Sequence, residues 1–156
     1  MSEQNDPFLQ VLDRYAAAVG EKDVEGFLSI YGEDVHIFDV WDTWSLQGKA
    51  AWRDVVSDWF SSPEKLVVTI DEARSTASAD LVVGHAFIRY AAISPDGREL
   101  RSVGNRITQV LRKTESSWSI SHEHSSVPID HSSTRAIFRR ATAARSEEHT
   151  SELQSL

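Results

Sequence analysis

Residues 80–127, DLVVGHAFIRYAAISPDGRELRSVGNRITQVLRKTESSWSISHEHSSV, decide the fold because they predict three consecutive antiparallel strands. The dipeptide Asp96-Gly97 lies between the first two strands, and Asp-Gly is a strong hairpin signal. The chain is therefore expected to contain an antiparallel sheet of at least three strands. The three strand-like segments are 80–93, 99–113 and 117–127.

The turns between these strands predict which residues face each other. The Asp-Gly turn places Tyr90 opposite Val103, and the next turn, at Glu115, places Gln109 opposite His122. The same geometry predicts the pairs Ile88 with Asn105, Gly84 with Gln109, and Leu111 with Ile120.

One face of this sheet is expected to be apolar and to carry a few polar groups. Polar groups buried without partners cost about 1 to 3 kcal/mol each, so those on this face are expected to line a pocket. Glu123 alternates to the opposite face and is expected to be solvated. A slip of one residue would instead bring His85, Arg106 and Thr108 inward. The apolar members of the face are Val82, Ala86, Ile88, Tyr90, Val103, Ile107, Leu111, Trp118 and Ile120, and the polar members are Asn105, Gln109, His122 and His124.

Before the sheet, apolar residues recur at helical spacing in three segments. Residues 7–19 predict an amphipathic helix, and Asp23 caps a second helix that is expected to run to Tyr31. A third helix is expected between Gly48 and Pro63. The segments 35–40 and 66–77 predict two further strands, which gives an α+β chain of three helices packed on a mostly antiparallel sheet.

Composition narrows the classes of protein that fit. The chain has 156 residues, of which 40% are hydrophobic, and no cysteine, which excludes disulfides and thiolate metal sites. A net charge of -8 argues against a nucleic-acid partner. The sequence has neither a long apolar run nor a signal-peptide pattern, so no membrane partner and a cytoplasmic location are expected.

Charge is distributed unevenly along the chain. Acidic side chains predominate in residues 1–80, and basic side chains predominate in residues 81–144. Two interpretations are open: solvated helix faces beside a more basic sheet, or a cationic lining for an anionic small molecule.

The C-terminal residues need a separate interpretation. The segment 145–155, RSEEHTSELQS, matches the translation of a common sequencing adapter codon for codon. We therefore expect residues 145–156 to be an artefact of sequence assembly, residues 131–144 to be a truncated extension, and residues 1–130 to form one domain.

Four segments together resemble the nuclear transport factor 2-like superfamily, and more narrowly its SnoaL-like and ketosteroid isomerase-like branch. The last segment is also similar to the close of the calcium/calmodulin-dependent protein kinase II association domain. The resemblance covers about residues 7–130. It implies a cone-shaped fold with a curved sheet that encloses a pocket. The segments are Tyr15 to Ala18 with Lys22 to Gly26, Val35 to Asp39, Gly48 with the helix it opens, and Trp118 to Pro128.

The resemblance also implies candidate catalytic residues. Ketosteroid isomerases use an Asp base after the first strand, a Tyr on the first helix and a protonated Asp on the sheet. Asp39 and Tyr15 match the first two positions, whereas the third falls at or beside Gln109, which is an amide. His122 is the fourth candidate, as a proton donor or an orienting group.

Further residues are expected to bind substrate or to offer alternatives. Trp41 and Trp44 follow the first strand, where they could hold a flat ligand at the pocket entrance. His122 and His124 share a face and could hold a metal with Asp39, although we expect neither a metal nor another cofactor. The complete set of expected substrate-binding residues is Trp41, Trp44, Trp59, Tyr90, Asn105 and His124.

These residues support two functional hypotheses. The first is an enzyme that uses acid/base catalysis on a hydrophobic carbonyl compound, by isomerising a double bond or closing a ring in a polyketide-like substrate. The second is a non-catalytic module for ligand binding or oligomerisation. A homodimer through the outer sheet face is also expected by resemblance. That face would include His85, Phe87, Arg89, Arg106 and Val110.

Overall fold

The computed structural model describes residues 5–140, and over this range the chain forms three helices and six strands. Residues 145–156 and the end of the 131–144 extension lie outside the described range. The elements are α1 Pro7–Glu21, α2 Val24–Leu28, β1 Tyr31–Phe38, β2 Leu46–Gln47, α3 Lys49–Phe60, β3 Lys65–Ala77, β4 Leu81–Ile93, β5 Glu99–Thr114 and β6 Ser117–Ser126.

The six strands form one sheet in the order β2-β1-β6-β5-β4-β3. All neighbouring strands are antiparallel except β1 and β6, which are parallel. Irregular pairing occurs in β3 between Asp71 and Arg74 and at the junction of β5 with β6, and such bulges increase the twist and bend of a sheet. The predicted α+β architecture, with helices on a curved and mostly antiparallel sheet, is confirmed.

Each of the first two helices begins directly after an aspartate that caps its N-terminus. Asp6 accepts hydrogen bonds from the first backbone N–H groups of α1, which ends at Glu21 with Lys22 in the left-handed conformation, just past the predicted stop. Asp23 caps α2, but the prediction that this helix runs to Tyr31 is wrong because it ends at Leu28. Tyr31 begins β1 instead, since pairing with β6 satisfies its backbone there.

The apolar faces of the helices pack on the inner face of the sheet. Phe8 and Val19 of α1, Phe27 of α2 and Val56 of α3 are all fully buried. They meet Ile88 and its neighbours on the sheet, as the periodicity predicts.

Close contact between α1 and the sheet depends on Gly84. A Cβ added at Gly84 would lie 2.5 Å from ring atoms of Phe8. We expect Gly84→Ala to lower the free energy of unfolding by about 1 to 3 kcal/mol through overpacking. Gly20→Ala, in α1 with its nearest neighbouring atom at 3.8 Å, should instead raise it by about 0.5 to 1 kcal/mol. Urea unfolding of the two variants checks both signs.

The register of the β4–β5 hairpin is as predicted, but that of β6 changes part-way along the strand. The pairs Tyr90 with Val103, Ile88 with Asn105, Gly84 with Gln109, and Leu111 with Ile120 are confirmed. The predicted pair of Gln109 with His122 is wrong: Gln109 lies opposite Glu123, and Val110 lies opposite His122. The extra residue is Ser121, which forms a bulge.

This bulge exchanges the two faces of β6 beyond it. Glu123 and Ser125 point inward and are buried, whereas His124 is exposed and His122 is on the outer face. The expectations that Glu123 is solvated and that both histidines face inward are therefore wrong. The physical reason is that side chains alternate with a period of two, so one extra residue inverts all that follow.

The chain after β6 returns along the outer face of the sheet. The backbone N–H of Gly104 donates to the carbonyl of Phe138 at 2.7 Å, and the Arg140 guanidinium lies 4.5 Å from the ring centroid of Phe87. This segment covers part of the face proposed for dimerisation. None of the helices among residues 5–140 has the length and apolar character of a membrane-spanning segment.

Candidate functional site

A cavity of about 600 Å³ lies between the inner face of the sheet and the helices. Tyr15 of α1 and Trp59 of α3 line it on the helical side, and Tyr90 and Asn105 line it from the sheet. Asp39, directly after β1, lies at its edge. The cavity therefore collects polar groups from five separate parts of the chain on a largely apolar background.

Asp39 has a carboxyl group that is partly withdrawn from water. Burial raises the pKa of Asp39 above its ordinary value, and the nearby charge of Asp42 raises it further. Ser125 Oγ donates a hydrogen bond to Asp39 Oδ1 at 3.1 Å, which opposes that rise by favouring the ionised form. Asp39 is therefore a hydrogen-bonded, partly buried carboxyl group at the edge of the cavity.

Glu123 is a second cavity carboxyl, and it is only 3% exposed. Tyr31 Oη and Gln109 Nε2 each donate to Glu123 Oε1 at 2.8 Å, which leaves Oε2 outside both bonds. Burial raises the pKa of Glu123 to about 7, although both hydrogen bonds lower it. Near neutral pH this carboxyl can therefore hold or release a proton.

Sequence reasoning missed Glu123, although one signal pointed toward it. The resemblance to ketosteroid isomerases placed an acid at or beside Gln109, and Glu123 is the residue opposite Gln109 on the neighbouring strand. Gln109 itself is fully buried and contacts Glu123 rather than lining the cavity. A carboxyl group therefore lies beside Gln109, on the neighbouring strand β6.

Two tyrosines that line the cavity are hydrogen-bonded to each other. Tyr15 Oη and Tyr90 Oη are 2.6 Å apart, and either hydroxyl could be the donor. Burial raises the pKa of both tyrosines, so both remain neutral O–H donors at physiological pH. Asn105 is a further polar neighbour of Tyr90, and its Oδ1 is buried without a hydrogen-bond partner among the described residues.

In addition to Gln109, three of the expected site residues do not line the cavity. Trp44 is 97% exposed on the loop after β1. His122 lies on the outer face, where its Nδ1 donates to the backbone carbonyl of His36 at 2.7 Å and its ring lies 4.9 Å from that of Phe38. His124 is exposed on that same face, also against Phe38. The bulge at Ser121 is the reason for both histidine placements.

The remaining expected residues line the cavity as a group. Trp41 stacks on Phe138 with ring centroids 5.1 Å apart and an interplanar angle of 10°, which joins the entrance loop to the C-terminal segment. Within residues 5–140 no cluster of three or more His, Asp or Glu side chains has the geometry to hold a metal ion. The expected site residues found at the cavity are Asp39, Tyr15, Trp41, Trp59, Tyr90 and Asn105.

Removing one donor to Glu123 should shift its titration. Because the Tyr31 hydroxyl stabilises the ionised carboxylate, we expect Tyr31→Phe to raise the pKa of Glu123 further above about 7. Carbon-13 NMR of labelled glutamate carboxyls measures this directly. Tyr90→Phe is the control, because the Tyr90 hydroxyl bonds Tyr15 instead. A lower pKa in Tyr31→Phe would contradict the assigned hydrogen bond.

Comparisons with known proteins agree with this architecture. The family model of the SnoaL-like domain matches residues 9–130. A nuclear transport factor 2-like protein of unknown function from Pseudomonas putida KT2440 is 24% identical, with a TM-score of 0.79 over 91% of this chain and 99% of that one. No curated protein sequence matches the chain.

Two further solved structures share the fold at lower identity. A protein from Novosphingobium aromaticivorans, named as a candidate aromatic ring hydroxylase, is 20% identical with a TM-score of 0.67, over 77% of this chain and 85% of that one. A protein from Xanthomonas campestris, named as a candidate calcium/calmodulin-dependent protein kinase II association domain, is 18% identical with a TM-score of 0.63, over 76% and 84%. At these identities the likeness shows the shared fold alone.

Proposed function

Because the chain belongs to the SnoaL-like domain family, which its residues 9–130 match, we propose that it is an enzyme that removes a proton next to the carbonyl group of a hydrophobic small molecule. The observation that carries this proposal is the presence of two carboxyls, Asp39 and Glu123, in different environments at one cavity. Two carboxyls whose surroundings separate their pKa values can divide the roles of base and acid.

Asp39 is the better base of the two. It lies at the cavity edge, and the hydrogen bond from Ser125 Oγ favours its ionised form, which is the form that accepts a proton. In the proposed step, the Asp39 carboxylate takes a proton from the carbon next to the carbonyl. The electron pair of the broken C–H bond moves onto the carbonyl oxygen and forms an enolate.

Glu123 and the tyrosine pair are placed to stabilise that enolate. Protonated Glu123 can donate from Oε2, and the two tyrosine hydroxyls share one hydrogen bond, so one O–H group remains for substrate. Gln109 Nε2 donates to Oε1, the oxygen that carries no proton when Oε2 is protonated, so this hydrogen bond does not compete with the substrate for the proton on Oε2. Gln109 can therefore form a hydrogen bond with Glu123 in both of its protonation states.

The enolate has two productive fates. If Asp39 returns the proton to a different carbon of the conjugated system, a double bond is isomerised. If the enolate carbon attacks a second carbonyl of the same molecule, a ring closes and the new alkoxide takes a proton from Glu123. Both fates use the residues described and require no cofactor. A hydrophobic substrate is proposed because Trp41, Trp59 and Leu66 line the cavity.

A homodimer through the outer sheet face is part of the proposal. Phe38 is 36% exposed and Val83 is 41% exposed on this face, outside the area that the C-terminal segment covers. Apolar residues of this kind favour an isologous contact between two copies. Sedimentation at micromolar protein concentration tests the homodimer, and a monomer at that concentration would contradict it.

Isomerisation of a β,γ-unsaturated ketosteroid, followed by absorbance, tests the enzymatic proposal beside its non-catalytic alternative. Turnover that is lost in Asp39→Asn would support proton abstraction by Asp39 and an isomerase. Binding of the steroid without turnover in either protein would favour a cyclase with another substrate. Binding without turnover of any carbonyl compound would favour a ligand-binding module.

A further inference from the structure

The charge of the cavity is strongly asymmetric. In addition to Asp39 at its edge and the buried Glu123, Asp42 and Asp58 line its mouth, and both of these are exposed without an ion-pair partner among residues 5–140. Among the described lining residues the one basic side chain is Arg101. The cationic lining that the charge distribution along the sequence left open is therefore not found at this cavity.

The guanidinium of Arg101 forms an ion pair with Glu64, which does not line the cavity. Its Nη1 donates to Glu64 Oε1 at 3.0 Å, and its Nη2 lies 2.5 Å from Glu64 Oε2. This two-point pairing offsets the charge of the guanidinium. Among the described residues that line the cavity, a ligand therefore meets four carboxyl groups and no basic side chain other than the paired Arg101. The nearby Lys22 ammonium donates to the backbone carbonyl of Ser62.

Aromatic rings accompany these carboxyls. Trp59 and Tyr90 meet edge to face with centroids 5.6 Å apart, and Trp41 presents one side of its indole at the mouth while Phe138 stacks on the other. The face of an aromatic ring carries negative electrostatic potential and attracts organic cations. Carboxylates combined with aromatic faces form a surface that suits an ammonium group and repels carboxylates and phosphates.

We propose that the substrate of this cavity carries a positively charged amine in addition to its carbonyl group, with the ammonium held between Asp42 and Asp58 at the mouth. The inference rests on the proposed function for the carbonyl part and adds a charge class to it. An ammonium at the mouth leaves Asp39, Glu123 and the tyrosine pair free to act on the carbonyl deeper inside. The same arrangement disfavours phosphorylated substrates and thioesters of phosphate-bearing carriers.

Calorimetry with three probes of one shape tests this without any turnover. The probes are 2-naphthylmethylammonium, 2-naphthylmethanol and 2-naphthoate. We expect the cation to bind about tenfold more tightly than the neutral alcohol, and the anion to bind more weakly than both. Raising the salt concentration should reduce the preference because the mouth is exposed. Equal affinities, or tightest binding of the anion, would overturn the inference.

Two matched variants on α3 test whether the preference for the cation depends on Asp58. Asp58→Asn should reduce the preference for the cation about threefold or more and leave binding of the alcohol unchanged. Asp54→Asn is the control, because Asp54 is an exposed carboxylate one turn earlier on the same helix that does not line the cavity. Equal loss in both variants would show general electrostatics rather than a site, and would contradict the proposal.

The outcomes separate this inference from the proposed function. If the cation preference is absent but ketone turnover still depends on Asp39, the substrate charge class is wrong and the enzyme proposal stands. If the cation preference is present but no carbonyl compound is turned over, the charge class stands and the enzyme proposal fails.

Discussion

Asp39→Asn is expected to lower kcat for a carbonyl substrate about 10³-fold while ligand affinity stays nearly unchanged. An amide of the same shape keeps the hydrogen bond with Ser125 Oγ but cannot take a proton from carbon. The wild-type rate should fall as the pH drops through the raised pKa of Asp39, because protonation removes the base. Steady-state rates from pH 4 to pH 8, paired with calorimetric affinities, measure both parts.

Asp34→Asn is the control for that experiment. Asp34 lies on β1, the strand that directly precedes Asp39, but its side chain is exposed on the surface. It should leave both kcat and affinity unchanged. If Asp39→Asn retained most of the wild-type kcat, the assignment of Asp39 as the base would be wrong, whatever the effect on binding.

Glu123→Gln is expected to remove a large part of the pH dependence of stability. The pKa of Glu123 is about 7 in the folded protein against 4.5 for a free glutamate, so between these values the unfolded chain releases a proton that the folded chain keeps. The stabilising contribution is complete below pH 4.5 and is lost as the pH rises through 7. The decrease amounts to about 3 kcal/mol. Urea unfolding at pH 5 and pH 8 should show this slope in the wild type and a flatter one in the variant.

The same substitution should lower kcat about 10²-fold, because an amide donates a weaker hydrogen bond than a carboxylic acid and cannot protonate an alkoxide. His122→Gln is the matched control on β6, because His122 faces away from the cavity. It should leave kcat unchanged. A large loss in His122→Gln together with normal activity in Glu123→Gln would contradict the register of β6.

Local signals were sufficient to predict most of the fold. The Asp96-Gly97 turn defined the β4–β5 pairing, and the periodic apolar residues of α1 and α3 defined the helix faces. The end of α2 was not predictable in this way. Ile30 and Tyr31 are buried whether they continue a helix or begin a strand, and the choice depends on pairing with β6, which is distant in the sequence.

The candidate site was predictable only in part. Asp39 and Tyr15 lie where the resemblance placed them, because their positions follow from the end of a strand and the face of a helix. Glu123 was missed because a single bulge residue, Ser121, has no local signature and inverts the faces of β6. Trp44 was expected at the pocket entrance. It lies instead on the loop between β1 and the short strand β2, where its indole is exposed to solvent.

Solvent deuterium incorporation detects the proposed removal of a proton by Asp39 without requiring the final product, because both proposed reactions begin with this step. A panel of hydrophobic ketones, with and without an amine, would be incubated with the protein in deuterium oxide and followed by proton NMR. We expect exchange at the carbon next to the carbonyl in at least one ketone, with loss of that exchange in Asp39→Asn. Equal exchange in both proteins, or ketones that bind tightly yet never exchange, would contradict it.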